Sequence, residues 1–147
     1  MVGVGAVVVH EGRVLLIRRG KEPLRGRWLI PGGTVELGES LETALVREML
    51  EETGVRVRPL EVLLVFDRIL LEGDGVRYHY VIVDYRCEYI AGQVRAGSDA
   101  DDAAFVAEAD LGAFDLPDKA MEGVREGFRR AAAGGLPGVR EWDTILK

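Results

Sequence analysis

Glu48, Glu51 and Glu52 stand at i, i+3 and i+4 within GTVELGESLETALVREMLEETGV, the stretch from Gly33 to Val55. On a helix these three carboxylates fall within one arc of about 100°. Leu41, Ala44 and Leu45 fall in or beside the same arc, so the glutamates share the face that would pack against the rest of the protein. Carboxylates so spaced repel one another, and partial burial raises the cost because each ion loses water. Left alone they would take up protons; a divalent cation neutralises and coordinates them together. Oxygen ligands select hard ions, Mg2+ first and Mn2+ next. No His or Cys lies close in sequence, which disfavours zinc. Helical spacing alone also allows a solvated acidic helix with Arg47 paired to Glu51 at i+4.

The surrounding pattern predicts the elements that would position this helix. Val4–Val9 and Val14–Arg18, joined at Glu11-Gly12, read as a β-hairpin. A charged loop with Pro23 follows over 20–26, then a short strand Trp28-Leu29-Ile30 closed by Pro31-Gly32-Gly33. The helix itself runs over Glu39–Thr53, with Ser40 or Glu39 near its start and Gly54 as its C-cap. Val55–Phe66 reads as a strand with an irregular entry at Pro59. Glu72–Gly75 is a turn, and Arg77–Tyr85 alternates as a central strand with both faces partly buried. An acidic loop over Gly97–Asp102, a short strand Ala104–Val106 and a helix Asp118–Ala132 follow. That helix places Met121, Val124, Arg125 and Phe128 near one face. The expected architecture is one mixed α/β domain over 1–133, with a tail from Gly134 that carries Trp142 and packs on the domain or on a partner subunit.

Composition narrows the class. The 147 residues suit one domain, and 48% hydrophobic with 30% charged residues is a globular balance. No apolar run approaches the ~18–20 residues of a membrane span. The N-terminus reads as a strand rather than a signal peptide, and one cysteine, Cys87, allows no internal disulfide; a cytoplasmic location is expected. A net charge of -6 disfavours long nucleic acid as a partner. A small polyanion is still accessible where metal ions or local arginines reverse the sign.

Gly33, Glu39, Arg47-Glu48, Met49, Glu51-Glu52, Gly54 and Val55 match every fixed position of G-x5-E-x7-R-E-U-x-E-E-x-G-U, where U is a bulky aliphatic. The chain thereby resembles the Nudix hydrolase family, and the order of elements fits that domain through about residue 130. The resemblance implies an α/β/α sandwich around a mixed sheet. It implies Mg2+-dependent hydrolysis of a nucleoside diphosphate linked to another moiety. By the same carry-over Glu48, Glu51 and Glu52 bind metal, with the Gly32 carbonyl joining them. Arg47 orients the glutamates, Glu39 supports the loop or binds a further ion, and Glu48, then Glu52, is the expected general base. A further acidic ligand is expected from the loop before a later strand, where Asp99 fits and Asp101 and Asp102 compete.

Arg18, Arg19 and Arg27 are the expected substrate-phosphate contacts, against a reading as ordinary surface arginines. Trp28, Phe66, Tyr78 and Tyr80 offer either a base-stacking surface or core. His10, His79 and Cys87 carry no expected role. The proline that marks ADP-ribose-cleaving sub-families is replaced by Leu70, Leu71 and Glu72, and Glu72 and Gly73 stand where diadenosine-polyphosphate hydrolases have a tyrosine. The pattern is most similar to small generalists acting on nucleoside triphosphates, oxidised ones included, or on ADP-ribose. A non-catalytic nucleotide sensor or interaction module on the same fold is the alternative. An RNA decapping enzyme would need basic extensions that this acidic chain does not show. A homodimer paired through the apolar N-terminal strand is a further expectation from the resemblance.

Overall fold

The computed structural model describes residues 1–134; the tail with Trp142 lies outside the described residues. The first strand, β1 (Val2–His10), turns at Glu11-Gly12 into β2 (Arg13–Arg19). The expected hairpin is present, but its ladder is only two pairs long, Val9 with Val14 and His10 with Arg13. Beyond it the strands diverge to other partners. β2 pairs antiparallel with β3 (Trp28–Leu29) and with β7 (Ala100–Ala107). β1 pairs antiparallel with β4 (Gly32–Thr34) and parallel with β6 (Gly75–Ala91), whose other edge carries β5 (Arg56–Glu72).

The Pro31–Gly33 segment, expected only to end a strand, therefore begins one: Gly32 sits opposite Gly5 and Gly33 opposite Val4. β7 is longer than its apolar core suggested and takes in Asp101 and Asp102, because Arg18 of β2 pairs with Asp102 and Arg19 with Ala100, with Asp101 at the register shift between them. β6 departs from the expected central strand as well. Burial is concentrated in its second half, Val83 to Cys87; Val81, where pairing with β1 begins, is exposed, and so is His79, where the β5–β6 hairpin extends past β1.

Helix α1 (Leu41–Thr53) lies on one face of the sheet and α2 (Asp118–Ala132) on the other, giving the α/β/α sandwich. Ser40 caps α1 by accepting the Thr43 N–H through its hydroxyl, 3.1 Å, and Gly54 closes it in the left-handed conformation. Ala44, Leu45 and Met49 are buried against Val4, Ala6, Val8, Val83 and Tyr85. Alternate residues of β1 face the other way: Val7 packs with Leu16, Val106, Val124 and Phe128. The buried stripe of α2 is Ala120, Gly123, Val124, Gly127 and Phe128. Arg125, expected near that face, is exposed, and Met121 is at its edge. Two glycines take inner positions, and at Gly127 β1 passes so close that a Cβ would overlap the Val7 side chain. A 3-10 helix over Glu108–Phe114 buries Leu111 under α2; the sequence pattern did not call for it.

Leu45 is fully buried between α1 and the sheet. Leu45→Ala is expected to cost about 2–5 kcal/mol. The check is a urea titration, in which the midpoint falls while the slope stays unchanged.

Candidate active site

α1 turns its middle and C-terminal turns toward β4, and a cleft of roughly 360 Å³ opens beside that contact. Its walls include Gly32, Gly33, Glu48, Glu52, Arg19 and Asp99. Glu52 is on the packing face, as its helical angle required, and is 3% exposed. One of its oxygens accepts the Gly32 N–H at 3.0 Å. Burial, opposed by that hydrogen bond and by the Arg19 charge, pushes its carboxyl up to about 7. Glu48 is one turn earlier, its side chain 16% exposed. Its carboxylate lies against Gly33, where a Cβ would overlap it, so a larger residue there would displace Glu48. Burial, with Glu51 and Asp99 nearby, raises Glu48 too, against the lowering effect of Arg47.

Arg47 ties the arrangement together. Its Nε and Nη2 donate to the two oxygens of Glu39, at 2.7 and 2.8 Å. Nη1 donates to Glu48 at 3.0 Å and to Glu51 at 3.3 Å, and Nη2 also donates to the Thr34 carbonyl at 3.2 Å. Glu39 in turn accepts the Glu36 N–H at 2.9 Å. The Arg47 hydrogen bonds, then that N–H, hold Glu39 well below the usual carboxylate range, at about 2. This is a built brace: the loop between β4 and α1 is pinned to the helix it precedes, and Glu48 is fixed in place. Glu51 stands apart, its side chain 48% exposed and outside the cleft lining. The helical spacing allowed either a metal cluster or an Arg47–Glu51 surface pair. The structure brings Glu48 and Glu52 to the cleft and leaves Glu51 at its rim, paired with Arg47.

Of the three competing aspartates, Asp99 reaches the cleft. The loop that carries it docks on the end of α1, where the Arg95 N–H donates to the Thr53 carbonyl and the Gly97 N–H to the Glu52 carbonyl, both 3.0 Å. Free carbonyls at a helix C-terminus need such donors, so this loop position is fixed by the helix. Lys21 pairs with Asp99 at 3.0 Å across the cleft mouth. Asp102 accepts the Ala103 N–H and Asp101 lies against Gly20, away from the cleft lining. Arg19 lines the cleft, its Nε donating to the Pro23 carbonyl at 2.8 Å. Arg18 and Arg27 do not line it; Arg27 donates to the Asp115 carbonyl at 3.0 Å.

Among the aromatics, Tyr80 lines the cleft. Trp28 packs edge-on against Phe114, and Phe66 lies under the Arg68 guanidinium. His79 pairs with Asp67 at 2.9 Å on the exposed face, and His10 stacks on Tyr89. Cys87 is buried and its thiol is pushed up by that burial. Arg68, Ile82 and Asp84 also line the cleft. Reading the sequence assigned them no role, although an aspartate inside the apolar run VIVDY was a visible signal.

The donor set around Glu48 and Glu52 is oxygen throughout, and both carboxylates have already lost much of their water. That suits a hard divalent cation. Among the described residues no three such side chains converge into a closed cage. The set is one-sided, facing the cleft, which leaves room for a ligand's oxygens.

A family model described as NUDIX domain matches residues 1–130. The chain is 35% identical over 104 residues to an ADP-ribose pyrophosphatase of Methanocaldococcus jannaschii, covering 71% of this chain and 60% of that one. It is 33% identical over 105 residues to the 8-oxo-dGDP phosphatase NUDT18 of Danio rerio, covering 71% of this chain and 30% of that one. It therefore spans less than two thirds of the length of either curated relative. The crystal structure of a MutT NUDIX hydrolase from Burkholderia pseudomallei superposes with a TM-score of 0.68 at 31% identity, over 87% of this chain and 95% of that one. The family match takes in every strand and nearly all of both helices, and by it the chain belongs to the Nudix family.

Proposed function

We propose that the chain is a divalent-metal-dependent pyrophosphohydrolase acting on a nucleoside diphosphate derivative, either a nucleoside triphosphate, oxidised forms included, or an ADP-ribose-like compound. The observation that carries this reading is the pair Glu48 and Glu52, desolvated side by side in a cleft and each fixed by its own donor. A module that only binds a ligand has no need of two buried carboxylates held this way. The names of the relatives, one acting on ADP-ribose and one on 8-oxo-dGDP, support both substrate classes.

Glu48, Glu52 and the Gly32 carbonyl would hold Mg2+ or Mn2+, with Asp99 contributing from its docked loop and Glu51 from the rim. When bound, the ion withdraws charge from the anhydride oxygens and acidifies water. This chain's own residues do the rest. Arg47 keeps Glu48 aimed into the cleft, and the Gly32 N–H keeps one oxygen of Glu52 engaged, leaving the other free. Glu48 accepts the proton of the attacking water, with Glu52 next in line. Arg19 faces the phosphates with its charge and, through Pro23, steadies the loop over the cleft. Glu39 acts through Arg47 and is a positioning residue.

The deciding assay measures phosphate release from a nucleotide panel with Mg2+ and with chelator. Glu48→Gln is expected to lower kcat by about 10²–10⁴-fold with KM little changed. Glu52→Gln is expected to abolish turnover in a folded protein; full activity in that variant would refute the helix assignment.

Burial also links this site to pH. Glu52 rises from an ordinary 4.5 to about 7, and Asp84 from 3.8 to about 7, both chiefly through burial. Between those values the folded chain holds protons that the unfolded chain has released. The contribution of these two groups to stability without metal is therefore full below about pH 4, is lost as pH rises to about 7 and stays lost above it. Thermal midpoints measured in chelator should decline across that window. Mg2+ should restore much of the loss at pH 8, and Glu52→Gln should flatten the slope and weaken the Mg2+ response. A midpoint that climbs across the window would contradict this account.

A further inference from the structure

In the cleft that Glu48 and Glu52 line, two opposite charges share one space without joining. Asp84 is 2% exposed, on β6, and Arg68 is half-buried on β5. They feel each other electrostatically, yet no ion pair forms between them among the described residues, and no hydrogen bond is made to either side chain. Arg68 rests on the Phe66 ring, 5.6 Å from its centroid. A buried carboxylate that makes no hydrogen bond is costly, and a guanidinium within its field is the natural remedy, so the gap between them is informative.

The shape of the gap is informative too. β1 places Gly3 opposite Ile82 and Gly5 opposite Asp84. A Cβ at Gly5 would overlap the Asp84 carboxylate, and one at Gly3 would press on Ile82 at 2.8 Å. Glycine at these two positions lets the Ile82 and Asp84 side chains lie over β1, where both line the cleft. Leu24, Ile30, Tyr80 and Ala120 supply flat, largely apolar walls. Apolar walls with a few polar groups at one end suit a planar ring read along one edge.

Building on the proposed nucleotide hydrolase, we propose that Asp84 and Arg68 read the Watson–Crick edge of a guanine base in the substrate. That edge presents an acceptor, O6, beside two adjacent donors, N1–H and the 2-amino group. Arg68 donates to O6 and the two oxygens of Asp84 accept from the donors. Adenine offers one donor on this edge, as do uracil and cytosine, and each leaves an Asp84 oxygen unmatched. A guanine oxidised at C8 keeps the same edge. The burial that raises the Asp84 carboxyl is countered once two donors and the Arg68 charge converge on it.

Nucleoside monophosphates test this apart from turnover, since they lack the anhydride bond. Calorimetric titration of the full chain in Mg2+ should show GMP binding roughly tenfold or more tighter than AMP, and than IMP, which lacks only the 2-amino group. Asp84→Asn should bring the GMP-to-IMP ratio close to one, while Arg68→Gln weakens GMP and IMP alike and keeps their ratio. A merely structural role for Asp84 would not move that ratio. Tighter binding of AMP, an unchanged ratio in Asp84→Asn, or no binding of any monophosphate overturns the inference. Hydrolysis that proceeds without base preference overturns it and leaves the hydrolase reading standing. Guanine-selective binding without turnover of any anhydride does the reverse.

Discussion

Two carboxylates on the packing side of a helix set the terms for everything around them. Glu48 and Glu52 occupy positions where an aliphatic side chain would be the stable choice. Their ionised forms lose hydration there, and each repels the other. The protein supports them with oriented donors, the Arg47 guanidinium on one and the Gly32 N–H on the other, while the cleft side stays open. Removing a partner from a buried charge leaves that charge uncompensated, so the loop, the brace and the glycines around these acids form one unit.

That unit explains features of the fold that would otherwise look arbitrary. β4 is three residues long, but it sets Gly32 and Gly33 against Glu52 and Glu48 and hydrogen-bonds them to β1. The Glu39–Arg47 pair has little to do with surface charge; it fixes a loop that has few other contacts to the helix it leads into. The loop between β6 and β7 caps the C-terminal carbonyls of α1 and so carries Asp99 to the same cleft. Gly3 and Gly5 of β1 leave room for the Ile82 and Asp84 side chains that line the cleft. A ligand that fills it would have its anhydride among the acids and its outer group beside Asp84 and Arg68.

Much of this could be read from residue order. The apolar period and the Ser40 and Gly54 signals located α1 to within two residues, because capping and helical repeat are local physics. The bounds of α2 were legible for the same reason. Its buried face was not: Gly123 and Gly127 take the inner positions in place of the expected Arg125 and Met121, and at Gly127 β1 passes too close for any Cβ. The same limit applied to Pro31–Gly33, whose strand character exists only in pairing with β1, and to the exposed half of β6, which depends on where the neighbouring sheet stops.

The sequence by itself determined that a helix carries Glu48, Glu51 and Glu52 at one spacing, and that Gly33, Glu39 and Arg47 stand at positions able to serve them. Spacing along a helix is a property of the chain. Only the tertiary structure decided that Glu51 faces solvent, that Asp99 rather than Asp101 or Asp102 reaches the cleft, that Arg19 does so while Arg18 and Arg27 do not, and that Asp84 and Arg68 line the same cleft. Each of those outcomes depends on which distant segments share a wall, and that is set by sheet pairing and burial among residues far apart in the chain.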